Sequence, residues 1–178
     1  MNYFNLSFIK KIKINQFKQN IFWNYLSLIF LGISGIAINI IISINYSAST
    51  LGSFNQVLAT YIFFSMIGSG GINYSILRGI QSNINNQKEI ISILAGSILP
   101  TLFISSIVTL IYFFLIQPIE VLLDSNSVAI GMRYITPGVF FFSLNKVLIY
   151  GVINGFNYMK IFSLWLSLRY ILILSSLL

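Results

Sequence analysis

The chain contains no cysteine and no histidine, and its 178 residues include only three acids, Glu89, Glu120 and Asp124. The lack of cysteine excludes disulfides and thiolate chemistry. The lack of histidine removes the most frequent general base and a leading metal ligand. The three acids stand apart between apolar runs, so no carboxylate pair is available for proton transfer or for holding a metal. The sequence therefore reads as that of a non-enzyme without metal or cofactor. Charge of either sign is scarce: charged residues make up 7% of the chain against 57% apolar, with a mean hydropathy of +0.88.

Such a composition belongs to membrane proteins rather than soluble domains. A bilayer core about 30 Å thick needs a helix of about 20 apolar residues. Windows of that size fall at 21–44, 54–77 and 90–116, none of which contains a charged residue, and at 135–156 and 161–178, which carry one cation each. These windows are too long for barrel strands, and no alternating ten-residue segments recur. The predicted fold is all-α: a polytopic transmembrane helical bundle of about five spans, with residues 1–20 as a basic amino-terminal arm. Lys10, Lys11, Lys13 and Lys18 precede the first span in the manner of a signal peptide, but the apolar run is too long and no small-residue cleavage site closes it. With the amino end cytoplasmic, Arg78, Lys88 and Lys160 fall on the cytoplasmic side, as the positive-inside rule requires. Glu120 and Asp124 fall opposite, and only Arg133 departs from the pattern. The net charge of +7 is thus mostly topological, and the arm, with Phe4, Phe8 and Phe17, reads as an interfacial helix rather than a nucleic-acid contact.

Within the spans, Pro100 predicts a bend in the third helix. Gly68, Gly70 and Gly71 in the second span, and Gly151 with Gly155 in the fourth, predict close helix packing. Ser65, Ser69 and Asn73 recur every four residues and predict one polar stripe on a continuous second helix.

Two cations lie deep in apolar sequence. Lys146 is about 15 Å from the end of the fourth span, and Arg169 is about 12 Å into the fifth. The short connection predicts antiparallel neighbours with both cations near one level. A basic residue at that depth costs about 2.5–3.5 kcal/mol on insertion scales and usually faces the bundle interior. No acid in either span neutralises them. Ser143, Tyr150 and Asn154 are predicted to share the Lys146 face and line water. Snorkelling to the head groups is the competing use of these cations, and it suits Arg169 better than Lys146.

Three segments carry a family resemblance. Leu51-Gly52-Ser53-Phe54-Asn55-Gln56, then Gly68 to Gly71 leading through Ile72-Asn73-Tyr74-Ser75-Ile76-Leu77 to Arg78, and finally Asn154-Gly155-Phe156-Asn157-Tyr158-Met159-Lys160 with Ser167-Leu168-Arg169-Tyr170, occur in this order along nearly the whole chain. Together they resemble the first helices of bacterial polysaccharide (O-antigen or capsule) flippases of the multidrug/oligosaccharidyl-lipid/polysaccharide exporter superfamily. The resemblance implies the first bundle of a MATE-like transporter in the inner membrane. It further implies alternating-access translocation of a polyprenyl-diphosphate-linked glycan, in the company of a glycan polymerase and glycosyltransferases. By position it places Lys146 and Arg169 in the cavity, Arg78 at the cytoplasmic mouth and Arg133 near the outer mouth, with Asn73, Ser143, Tyr150 and Asn154 as further substrate contacts. Members have about a dozen or more helices, so an amino-terminal portion of a longer transporter, or a truncated product, is expected. The rival readings are a non-catalytic scaffold or channel subunit and, behind it, a polysaccharide polymerase.

Overall fold

The computed structural model describes the backbone of residues 3–177 and the side chains of residues 17–177. The arm's side chains before Phe17, on which the interfacial reading of Phe4 and Phe8 depends, lie outside the described residues. The described backbone is all-α: α1 Tyr3–Asn45, α2 Ala48–Gly68, α3 Ile72–Ser82, α4 Gln87–Phe114, α5 Ile116–Leu123, α6 Asn126–Asn145, a π turn Lys146–Tyr150, α7 Gly151–Gly155 and α8 Met159–Leu177. Four stretches are long and apolar enough to cross a membrane: Phe17–Asn45, Gln87–Phe114, Asn126–Gly155 and Met159–Leu177. The chain divides into two compact units, Ile41–Phe156 and a second made of residues 1–40 with residues 157–178.

Sequence and structure differ at the second and fourth spans. The charge-free window 54–77 is not one helix. It stops at Gly68 and restarts at Ile72, because Gly70 and Gly71 take left-handed backbone angles, φ 53° and 73°, that end an α-helix. The polar stripe predicted through Ser65, Ser69 and Asn73 is therefore divided between two helices. The fourth span is longer than predicted, running unbroken from Asn126 to Gly155, so Arg133 sits on its first turns rather than ahead of it. The segment after α4, predicted as a loop, contains the short helix α5, closed by Asp124 at φ 46°. Nor does any break in the backbone separate the basic arm from the first span, since both belong to α1.

In the Ile41–Phe156 unit, α2 and α6 run parallel: Val57 packs at Gly131, Tyr61 at Gly138, and Gly68 at Ser143. α4 runs opposite to both, with Tyr112 near its end among Val128, Ala129 and Met132, and Ile90 near its start beside Val147. The α4 sequence shows why this arrangement suits lipid. Its buried positions include Ser97, Thr101, Ser105 and Tyr112, while Leu99 (75%), Phe103 (68%) and Phe114 (73%) are exposed. Small and hydroxylated residues point inward and large apolar ones outward, the reverse of a soluble helix. Ser47 caps α2 by accepting the Thr50 amide at 3.1 Å, and Asn86 caps α4 by accepting that of Glu89 at 3.3 Å.

In the other unit, Lys160 on α8 stands with its ammonium 5.6 Å from the centroid of the Trp23 ring on α1, a cation–π contact. Its buried side chains are again mostly small: Ser27 and Ser34 on α1 and Ser163 on α8, beside the larger Ile38.

Gly151 and Gly155 form the packing seam the sequence predicts, against α3. A Cβ at Gly151 meets the Asn73 carbonyl oxygen at 3.1 Å, and one at Gly155 meets the Ile80 Cβ at 2.9 Å. Gly155→Leu is therefore expected to destabilise the protein by about 1–3 kcal/mol, the usual range for overpacking. Gly52, whose Cβ position is open, should tolerate alanine. Heating detergent-solubilised variants before size-exclusion chromatography measures both; equal melting of Gly155→Leu and the parent contradicts the seam.

Candidate functional site

The buried positions Val139, Ser143, Val147, Gly151 and Gly155 recur every four residues. On a regular α-helix, a four-residue step drifts about 40° around the axis, so five such positions cannot share one face. The π turn corrects this drift: the Gly151 amide donates to the Lys146 carbonyl five residues back, and the wider turn holds the series toward α2 and α3. Lys146 opens this turn. It is half-buried, nine residues before the end of the helix, and its ammonium forms no ion pair or hydrogen bond among the described residues.

Several amides lie along this helix and on α3, of which Asn145 adjoins Lys146 in sequence. The side-chain oxygens of Asn145, Asn154 and, across the seam on α3, Asn73 are enclosed without a hydrogen-bond partner among the described residues. The Tyr150 hydroxyl is enclosed as well. Buried amide oxygens are normally satisfied, so those of Asn73, Asn145 and Asn154 are unused acceptors in the protein interior. Asn145 was not singled out from the sequence. Its signal lies in the four-residue repeat, which shifts the register at this point.

Ser143 differs from its predicted companions. It is fully buried, and its hydroxyl donates to the carbonyls of Val139 at 2.7 Å and Ser65 at 3.2 Å. The physical reason is angular: three residues before Lys146 on regular α-helix, Ser143 lies about 60° around the axis from it, on the side that packs against Gly68 of α2.

The arginines occupy separate places. Arg78 is exposed on α3. Arg133 lines a cavity of about 430 Å³ with Phe113, Phe114, Ile116 and Gln117, and its guanidinium is 3.9 Å from the Glu120 carboxylate. An exposed pair this long contributes no more than about 1 kcal/mol. Arg169, in the other unit, is half-buried on α8 with its guanidinium 5.4 Å from the Tyr170 ring centroid.

No known protein family, curated protein or solved structure matches the chain. Four apolar helices of membrane length among the described residues make it a membrane protein of the all-α class.

Because the chain has no cysteine, single cysteines can report access. A membrane-impermeant maleimide should label Arg133→Cys readily and Ser143→Cys roughly tenfold more slowly or not at all, as their burial dictates. Equal labelling, followed by mass spectrometry, contradicts the packing of Ser143.

Proposed function

We propose that the protein takes part in moving an anionic, lipid-linked glycan across a bacterial inner membrane, with its amino terminus in the cytoplasm. The observation that carries this reading is Lys146: a cation deep in a membrane-length helix, without an acid of its own, at a π turn flanked by amide oxygens that lack partners. An unneutralised ammonium in this setting calls for a mobile anion, and a diphosphate supplies two phosphate groups to meet it. The amide oxygens of Asn73, Asn145 and Asn154 suit the hydroxyl donors of a sugar. Such carriage is non-enzymatic, because the binding energy is spent on passage and not on bond cleavage.

In this reading Arg78 attracts the phosphates at the cytoplasmic mouth. Arg133, beside Glu120, belongs to the outer end, where an acid moderates its departure from the positive-inside pattern. Glycosyltransferases that build the glycan and a polymerase that consumes it are the partners such a step requires. The sequence resemblance to polysaccharide flippases supports the same assignment.

Replacing Lys146 with glutamine in the native host should lower surface polysaccharide by roughly ten- to a hundredfold, the effect of losing a charge-assisted contact of about 1.5–3 kcal/mol. Membrane abundance of the protein should be unchanged, and Lys146→Arg should retain most of the export. Immunoblots of surface glycan and of membrane fractions provide both readouts. Loss of abundance with Lys146→Gln instead supports a scaffold or channel subunit, and normal glycan at normal abundance removes Lys146 from transport.

A further inference from the structure

Three helix interruptions in the Ile41–Phe156 unit lie at one level. α2 gives way to α3 at Ser69–Gly71, α4 contains Pro100, and the long fourth span contains the π turn. Their alignment follows from contacts: a Cβ on Gly70 meets Ile104 at 3.3 Å, one turn from Pro100, and Ile72 and Pro100 line the same cavity of about 370 Å³. On the facing helix, Ser143 packs at Gly68 and Gly151 at Asn73, so the π turn lies opposite the α2–α3 break.

The apolar core is divided at the same level. One cluster, built on Tyr112, Val128, Met132 and Val139, lies on one side; another, of Ile76, Ile80, Ile90 and Val147, lies on the other. Between them are the buried hydroxyls of Ser65, Thr101, Ser105 and Ser143. The bonds joining helices through this layer are long: Ser105 Oγ donates to the Gly68 carbonyl at 3.3 Å, and Ser143 Oγ to that of Ser65 at 3.2 Å. Typical hydroxyl–oxygen bonds are about 2.7–2.8 Å. Ser65 Oγ is fully buried and has no partner among the described residues, so a shifted arrangement can improve the bonding here. Interruptions of this kind are where helices bend, and two separate cores allow each half to move as a body.

We propose that this layer is a hinge: the half built on Ile76, Ile80 and Val147 pivots against the half built on Tyr112, Val128 and Val139, about the Ser69–Gly71 break, Pro100 and the π turn. Lys146 sits at the pivot, so bending re-aims its ammonium. The hinge does not require Lys146 to bind phosphate, and either conclusion can fail without the other.

The cysteine-free full chain, placed in lipid nanodiscs, permits a direct test by double electron–electron resonance between spin-labelled cysteine pairs. Ile91 (63% exposed) paired with Tyr134 (85%) spans the layer, whereas Leu122 (81%) paired with Tyr134 lies within one half and Tyr74 (68%) paired with Ile91 within the other. The spanning pair should give two populations, or a distribution at least roughly twice as broad as either internal pair. Pro100→Ala, which restores a helical N–H to α4, should narrow the spanning distribution alone. A spanning distribution as narrow as the internal ones, or one that Pro100→Ala leaves unchanged, overturns the hinge.

Discussion

In hydrocarbon, a backbone carbonyl that loses its helical partner has no water to turn to, and each unsatisfied group costs several kcal/mol. The Ile41–Phe156 unit meets this constraint with hydroxyl side chains. Ser105 reaches across from α4 to the Gly68 carbonyl at the end of α2, and Ser143 adds a contact from α6 to that of Ser65, which also keeps the Ser69 amide. Hydroxyl contacts of this kind let the chain leave the α conformation at the end of α2 with the Gly68 carbonyl paired. They also explain the inverted helix faces, since large side chains gain nothing from the interior that lipid does not already offer.

The same constraint accounts for what the sequence revealed and what it concealed. The apolar runs were plain, because span length and charge depletion are imposed by bilayer thickness. Gly151 and Gly155 were legible as a packing pair because small residues four apart have few other uses in a membrane helix. The window 54–77 hid its break, because charge and hydropathy say nothing about φ; only the adjacent glycines, Gly70 and Gly71, marked a place where left-handed backbone is cheap. The start of the fourth span was hidden for a related reason: Asn126, Ser127 and Arg133 looked like loop sequence, although helical hydrogen bonds tolerate polar side chains near a membrane surface.

At the candidate site, Lys146 was legible from charge alone, whereas its neighbours were not. A regular 3.6-residue period aligned Ser143 with it, yet Ser143 is fully buried against α2 while Lys146 is half-buried. The missed signal was the strict four-residue repeat from Val139 to Gly155, which a regular α-helix cannot keep on one face. Asn145 became visible only when that register was known. Its enclosed oxygen, with those of Asn73 and Asn154, gives the site a polarity that the lone cation did not convey.

The placement of the π turn joins packing to charge. A helix that kept the α period here would have to turn either Val147 out of the α3–α4 core or Gly151 away from Asn73, losing the seam in both cases. Widening one turn preserves both contacts and sets Lys146 at the least regular point of the helix. Irregular backbone is softer than regular helix, because fewer ladder bonds resist its bending. A cation carried there can follow a moving anion at smaller cost than one fixed on a rigid helix. Lys146 suits this role better than arginine would, since an ammonium is a point charge on a flexible stem and needs no fixed planar geometry to hold a phosphate.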